Sequence, residues 1–315
     1  MLLSSSAESL FWFGRQLERA GALSRAFLTY AELGLDMPRS LTPHGGRLLS
    51  SLGLSWVTSP TSLSALKASW VMEVKNPSSV LGALRVAREN LRMVRTFVPA
   101  HAWEALNTLY LFLESADQQM DLPELLRALE RVEALCHQLG GYCSASMTRD
   151  DAYAVLDVGR HLERADMMLR LVTLTSELVI PDDPRPFDDV RWSALLKSVD
   201  AFEMYRRCHQ GRLELGRVLD FLLFSPGFPR SLAYCLNRIE RELATLPGST
   251  AVLPALARCW LSVEPNGDRS ARAKLQQANA ALAPLTELNS TLNETYFAPQ
   301  AEPKVAFVGG VELLA

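Results

Sequence analysis

The sequence predicts an all-α fold, a helical bundle built from two tandem pseudo-repeats. Long stretches carry apolar residues at helical spacing, and segments containing proline or glycine separate them. The heptapeptide Gly-Arg-x-Leu-Glu-Arg-Ala occurs twice, at 14–20 and at 159–165, each time inside a long helical pattern. Internal duplication is the simplest cause of such a repetition.

Local start and stop signals divide the first half into helices. Ser5 opens the first helix with a capping-box pattern, Asn76 is the expected N-cap of a later helix, and Asp121 starts the last one. Gly140 and Gly141 are expected to stop that last helix. The predicted helices are about 5–33, 45–54, 61–73, 76–98, 100–115 and 122–139.

The second half follows the same scheme after residue 147. Thr148 is the expected cap of a long helix over about 149–179, and the proline-rich run 181–186 is predicted to be a loop. Val305–Val308 is either a short extended piece or disordered. The expected domains are a first repeat at 1–147, a second at 148–297 and a tail at 298–315, with the two repeats forming one compact unit. Further helices are predicted at about 188–224 (with breaks), 229–246, 250–262 and 269–296.

The repetition extends beyond the heptapeptide. Pro77-Ser78-Ser79 and Pro229-Arg230-Ser231 each open a helix, at an offset of 229 − 77 = 152 residues. The motif glutamates, Glu18 and Glu163, are separated by 163 − 18 = 145 residues. The same order and nearly the same offset support duplication, with a linking segment longer by 152 − 145 = 7 residues in the second half.

Composition excludes several function classes. The net charge is −3 and no long run of like charges occurs, which argues against nucleic acid and anionic membranes as partners. The apolar runs are far shorter than the roughly 20 residues of a membrane span. Five cysteines without Cys-x-x-Cys spacing indicate reduced thiols in a cytoplasmic protein. No nucleotide, metal or nucleophile motif is found, so we expect no cofactor or metal in this chain and assign no catalytic residue.

The motif places charged residues on the apolar face of its helix. At about 100° per residue, Gly14, Glu18 and Arg25 fall on one line, and Gly159, Glu163 and Arg170 do so in the second copy. A buried charge without a partner costs several kcal/mol, so each must be paired. Arg15 and Arg160, three residues before the glutamates, are the expected local partners.

Two interpretations of the motif stay open. In the first, the long helices pack on each other, each glutamate pairs with arginines of the opposite repeat, and the glycines allow a close crossing. In the second, the Glu/Arg sets line a cleft that binds a zwitterionic or carboxylate-bearing ligand through bidentate arginines. The residues concerned are Gly14, Arg15, Glu18, Arg19, Arg25, Gly159, Arg160, Glu163, Arg164 and Arg170.

A second charged stripe is a weaker candidate. Arg88, Glu89 and Asn90 lie close together on a helix, and a solvated helix face is the simplest explanation. Arg230 and Ser231, at the start of a second-half helix, complete the secondary candidates.

Several sequence blocks together resemble one family. Ser-Ala-Glu-Ser-Leu-Phe-Trp-Phe-Gly-Arg-Gln-Leu-Glu-Arg-Ala at 6–20 looks like the opening of the bacterial alpha-E family, and Gly21 departs from the polar residue expected next. Later blocks of the family are matched in order over most of positions 4–297: Asn76–Val80, Ala87–Asn90, Trp103–Asn107 and Phe228–Ser231.

The resemblance implies an all-helical tandem repeat with Glu18, Arg19, Glu163 and Arg164 as its functional core. It also implies association with a circularly permuted ATP-grasp ligase, which would hold ATP and Mg, in ribosome-independent peptide synthesis or modification. Three hypotheses follow: an accessory subunit that binds an amino acid or peptide, a purely structural scaffold, or an amide- or acyl-transfer enzyme with Glu18 or Glu163 as general base.

Overall fold

Two long helices form the centre of the molecule, and the remaining helices pack around them. The computed structural model describes residues 2–36, 67–116, 120–178, 188–264, 269–298, 306–308 and 311–313. The all-α prediction is confirmed over the body of the chain. The helices are α1 Ser4–Asp36, α2 Val80–Met93, α3 Ala100–Glu114, α4 Leu122–Ser146, α5 Asp151–Leu178, α6 Asp188–Ser198, α7 Phe202–Cys208, α8 Leu215–Phe224, α9 Leu232–Leu243, α10 Leu253–Val263 and α11 Ala271–Tyr296.

Helices α1 and α5 carry the two copies of the heptapeptide and pack on each other most extensively. Helices α2 and α4 cover α1, helices α9 and α11 cover α5, and α10 packs on α11. Their buried faces share one apolar core, in which Phe11, Phe13 and Phe27 of α1 are at most 1% exposed. The charged motif residues therefore lie at the centre of the fold.

The glycines of the motif permit the close crossing of α1 and α5. A Cβ atom on Gly14 would lie 2.5 Å from the carbonyl oxygen of Leu156, and one on Gly159 would collide with the carbonyl of Phe11. Phe11 and Leu156 are 156 − 11 = 145 positions apart, the offset of the motif itself. The contacts at the crossing are thus reciprocal, as a duplication would produce, and the tandem repeat itself remains a prediction.

The prediction that Gly140 and Gly141 stop a helix is wrong, since α4 continues to Ser146. A Cβ on Gly140 would lie 2.9 Å from Nη2 of Arg160, so this glycine leaves room for a guanidinium of α5. Leu139 and Cys143 are buried on the same helix, so continuing it adds apolar burial that outweighs the low helix propensity of glycine.

Among the predicted helix caps, the one at Asp121 is confirmed and those at Asn76 and Thr148 are wrong. Asp121 accepts from the backbone N–H of Glu124 in a complete capping box, as expected. The cap of α2 is Ser79 rather than Asn76, whose side chain accepts from the N–H of Ser78 in the preceding turn. At α5, Asp150 accepts from the N–H groups of its first turn, so the predicted cap Thr148 is wrong.

Other boundaries shift by a few residues. Helix α2 ends at Met93, earlier than predicted, and the region 188–224 is divided into three helices. Lys67–Met72 forms a π-helix, while the predicted helix at 45–54, the start of that at 61–73 and the loop at 181–186 lie outside the described residues. A short 3-10 helix, Ser249–Ala251, precedes α10.

Near the C-terminus, β1 (Ala306–Val308) pairs antiparallel with β2 (Val311–Leu313). The extended alternative for this segment is therefore confirmed. Among the described residues, every helix is too short or too polar to cross a membrane.

Candidate functional site

Glu163 lies at the α1–α5 crossing and is bonded by arginines of the other helix. Arg15 donates from Nε to Oε2 at 2.7 Å, and Arg19 donates from Nε to Oε1 at 2.5 Å. The side chain of Glu163 is 1% exposed. Arg15 also donates to Asn289 and Arg19 to Ser78, so the guanidiniums have further partners. This set is a fully paired buried ion cluster, which we call the Glu163 cluster.

Glu18 of α1 is bonded in a corresponding way by arginines that lie outside α1. Arg164 donates from Nε and Nη2 to the two carboxylate oxygens at 2.9 and 2.8 Å, a bidentate pair. Arg230, just before α9, adds a third bond to Oε1 at 2.7 Å. We call this set the Glu18 cluster. Both motif glutamates therefore bind arginines of the opposite helix, as the first interpretation of the motif predicts.

The expected local pairs within each motif do not form. Arg15 bonds Glu163 and not Glu18, and Arg160 lies 3.6 Å from Asp157 and not beside Glu163. The reason is that the close helix crossing brings the opposite carboxylate nearer to each arginine. Spacing along one helix ranks only the partners on that helix.

Both glutamates remain ionised. Burial alone would raise the pKa of Glu18, but Arg164 and Arg230 more than offset this and hold it well below its ordinary value. Burial acts in the same way on Glu163, and Arg15 and Arg19 lower its pKa. A carboxylate with a low pKa and occupied oxygens is a weak proton acceptor, which disfavours either residue as a general base.

A cavity of about 200 Å³ adjoins the Glu18 cluster. The charged residues that line the cavity are four arginines and Glu18. His137 also lines it, at the rim, and half of its side chain is exposed. Four arginines around so small a space are suited to an anionic group. The lining residues are Leu17, Glu18, Gly21, Arg25, Cys136, His137, Gly140, Gly141, Ser144, Arg160, Arg164 and Arg230.

Arg25 stands out in this cavity because its Nε is buried without a hydrogen-bond partner. The residue is 6% exposed, and within the part of the chain that the structure describes its ion pair is a 3.4 Å contact from Nη1 to Glu133. A buried guanidinium N–H without an acceptor is costly, so a ligand oxygen here would be stabilised. Arg170, its counterpart in the second motif, is instead held by Asp166, Nε to Oδ2 at 2.8 Å.

The positive charges also act on one another. Burial, together with the neighbouring Arg25, lowers the pKa of Arg230 to about 10. Glu18 and Asp200 oppose this shift but do not cancel it. An anion in the cavity would relieve that repulsion, so the electrostatics favour one.

Of the secondary candidates, Arg230 lines this cavity, and Arg88, Glu89, Asn90 and Ser231 are not among its lining residues. Arg88 donates to Asn107 of α3 at 2.8 Å and stacks on the rings of Trp103 and Tyr110, so it joins α2 to α3. The solvated-face interpretation is therefore wrong for Arg88, because aromatic rings of the next helix cover it. Glu89 is half exposed and pairs with Arg88 and Arg92, Asn90 donates to the carbonyl of Val86, and Ser231 caps α9 by accepting from the N–H of Tyr234.

Several lining residues were not identified from the sequence. Cys136 and His137 both reach the cavity although adjacent helical residues point about 100° apart, because the space extends around that side of α4. Burial raises the pKa of Cys136 to about 12, so its thiol is neutral. One feature of the sequence indicated this part of the cavity. The Gly140-Gly141 pair is typical of a close approach between a helix and its neighbour, as well as of a helix end.

Comparison with known proteins identifies one family. The Alpha-E model, described as a predicted alpha-helical domain with a conserved ER motif, matches residues 2–297. The repeated heptapeptide of this chain contains Glu-Arg at Glu18-Arg19 and at Glu163-Arg164. No solved structure gives a significant match.

Similar curated proteins come from mycobacteria. The uncharacterized protein Mb2597 of Mycobacterium bovis is 25% identical over 190 residues, which are 58% of this chain and 21% of that protein. The uncharacterized protein Rv2567 of Mycobacterium tuberculosis is 30% identical over 112 residues, 36% of this chain and 12% of that protein. The alignments thus span about a fifth or less of these relatives.

Proposed function

The chain belongs to the Alpha-E family, and on that premise we propose that it is an accessory subunit of an ATP-grasp ligase in ribosome-independent peptide synthesis or modification. In this proposal the ligase holds ATP and Mg and forms the amide bond. The Alpha-E chain binds the carboxylate of an amino acid or peptide and presents it to the ligase.

The observation that carries the proposal is the arginine-lined cavity with the unpartnered Nε of Arg25. The bidentate bond of Arg164 to Glu18 shows how a carboxylate is held at this place in the fold. Within the described ranges of the chain, Arg25 and Arg160 have no comparably short carboxylate partner, since their ion pairs measure 3.4 and 3.6 Å. A ligand carboxylate would supply one.

The ligase partnership is supported by the resemblance of the sequence blocks to the alpha-E family. In the mycobacterial relatives the aligned segment is part of a much longer polypeptide, which is compatible with a unit that works beside other domains. A subunit of this kind needs no nucleotide or metal motif of its own.

The structural hypothesis applies best to the other cluster. Around Glu163 both carboxylate oxygens and both arginines have partners within the protein, and the carboxylate is closed to solvent. We therefore propose a division of roles, in which the Glu163 cluster locks α1 to α5 and the Glu18 cluster binds ligand.

Co-expression with a circularly permuted ATP-grasp protein encoded in the same genome tests the partnership. We expect the two proteins to co-purify and the Alpha-E chain to increase peptide-dependent ATP turnover. Arg25→Gln should abolish the stimulation but leave co-purification intact, whereas Arg170→Gln, at the equivalent motif position, should preserve both. The proposal fails if the proteins neither associate nor alter ATP turnover or product.

A further inference from the structure

The two clusters are built from equivalent sequence positions but differ in charge. Arg15, Arg19 and Arg170 with Glu163 correspond, at an offset of 145, to Arg160, Arg164 and Arg25 with Glu18. Two differences make the Glu18 cluster more positive, and a third, Asp157 in place of Trp12 (157 − 12 = 145), adds an acid beside Arg160.

The first difference is at Gly21, whose equivalent is Asp166 (166 − 21 = 145). Asp166 holds Arg170 through an i,i+4 ion pair at 2.8 Å. Gly21 offers Arg25 no carboxylate, and the Nε of Arg25 is left without an acceptor. The missing side chain also contributes to the space of the cavity, which Gly21 lines.

The second difference is at Arg230, whose equivalent is Ser78 (230 − 78 = 152). Ser78 is neutral and accepts a bond from Arg19 at 3.1 Å. Arg230 instead brings a fourth guanidinium to the cavity. At these two positions the Glu18 cluster has one acid fewer and one base more than its counterpart.

The charges that line the cavity do not balance. Among the lining residues themselves, four arginines face one glutamate. Other acids touch the rim only at longer range: Glu133 at 3.4 Å from Arg25, Asp200 at 3.5 Å from Arg230 and Asp157 at 3.6 Å from Arg160. Asp157 has its short bond, 2.6 Å, to Arg238 elsewhere. These three ion pairs are longer than the direct bonds of Arg164 and Arg230 to Glu18, so Arg25 and Arg160 are each able to take a closer carboxylate from a ligand.

We propose that the cavity selects a ligand with two carboxylates, namely a peptide that ends in glutamate or aspartate. This inference rests on the proposed function and specifies its substrate class. The cavity is smaller than the roughly 300–1,000 Å³ of sites for drug-sized ligands, so it accommodates one terminal residue and not a longer polyanion. The terminal carboxylate and the side-chain carboxylate bind Arg25 and Arg160, and the rest of the peptide leaves past His137.

Calorimetric titration with three matched tripeptides tests the selectivity at low salt, where charge effects are least screened. The peptides are acetyl-Ala-Ala-Glu, acetyl-Ala-Ala-Gln and acetyl-Ala-Ala-Glu-amide. We expect each single-carboxylate peptide to bind at least about tenfold more weakly, since one charge-assisted hydrogen-bonding group is lost. Equal binding of the Glu and Gln peptides overturns the inference but leaves the proposed function standing.

Inorganic phosphate serves as the competing anion. If phosphate displaces the Glu peptide at concentrations near the peptide's own dissociation constant, the cavity is a general anion site and the inference is overturned. If no peptide binds and the ligase neither associates nor responds, the proposed function itself has failed.

A matched pair of variants tests whether the Glu peptide binds in this cavity. Gly21→Asp introduces the acid found at position 166. The new carboxylate should pair with Arg25, so we expect the affinity for the Glu peptide to fall by at least about tenfold. Gly21→Ala adds the same Cβ, 3.2 Å from that of Cys136, without the charge, so it reports the loss of space alone and should weaken binding less than Gly21→Asp. Equal affinity in both folded variants, checked by circular dichroism, would contradict the inference.

Discussion

Glu18 and Arg164 are joined by two parallel hydrogen bonds of 2.8 and 2.9 Å across the crossing of the long helices. Glu163 and Arg19 are connected in the opposite direction by one hydrogen bond, from Nε to Oε1. Each Glu-Arg motif thus supplies an acid to one cluster and a base to the other. The packing of α1 on α5 and the geometry of the candidate site therefore depend on the same residues.

The close crossing predicts that alanine is not tolerated at Gly14. Gly14→Ala places a Cβ 2.5 Å from a backbone carbonyl of α5, which cannot move without separating the helices. We expect the free energy of unfolding to fall by about 1–3 kcal/mol, as for other overpacked sites. Gly141→Ala is the control, since a Cβ there meets nothing within 4 Å. Chemical denaturation measures both, and equal stability would show that the crossing is looser than described.

The buried ion cluster predicts a large effect of neutralising Glu163. Glu163→Gln removes the charge that compensates Arg15 and Arg19, and we expect a loss of about 3–5 kcal/mol in unfolding free energy. Glu32→Gln, which breaks the exposed pair with Lys197, should leave the unfolding midpoint almost unchanged. If both variants unfold like the original protein, the Glu163 cluster does not lock the helices.

The lowered pKa values of Glu18 and Glu163 predict acid sensitivity. In the unfolded chain these carboxyls take up protons at about pH 4.3, and in the folded protein only at lower pH. Their stabilisation is therefore fully present above that range and is lost as the pH falls through the folded pKa values. Unfolding free energies measured from pH 7 to 3 should decrease below about pH 4.5. The decrease should be smaller in Glu163→Gln, and an unchanged slope would contradict this origin.

The contact between α2 and α3 predicts a difference between two neighbouring arginines. Arg88→Ala removes a bond to Asn107 and two ring contacts, and we expect it to cost about 1–2 kcal/mol. Arg92→Ala, at a side chain that is 55% exposed, should change stability by less than about 0.5 kcal/mol. Thermal unfolding of both variants decides whether Arg88 is a packing residue. Similar unfolding midpoints of the two variants would show that Arg88 behaves as a residue of a solvated helix face.

Local patterns sufficed for the helices but not for the site. The Asp121–Glu124 capping box involves residues three apart, so it is visible in the sequence and was predicted. The partner of Arg15 lies 148 residues away and depends on how α1 crosses α5, which helical spacing does not encode. Gly140 was misread because the same residue type ends helices and makes room for a neighbour, here Arg160.

The inward face of the motif was correctly inferred, since its charges alternate with buried apolar residues at helical spacing. A cleft lined by the Glu/Arg sets was one of two open interpretations, and its place could not be predicted because the cavity depends on the absence of a side chain at Gly21 and on Arg230, more than 200 positions further along the chain. A position-by-position comparison of the two motif copies reveals the difference between the two clusters. This comparison becomes informative once the structure shows that the two copies face each other.

The most direct measurement is calorimetric titration of acetyl-Ala-Ala-Glu into Arg25→Gln and Arg170→Gln. These residues occupy equivalent motif positions, but Arg25 lines the cavity with an unpartnered Nε and Arg170 is held by Asp166. We predict that Arg25→Gln weakens binding at least about tenfold and that Arg170→Gln binds like the original protein. Unchanged affinity in a folded Arg25→Gln protein would contradict the assignment of this cavity as the carboxylate site.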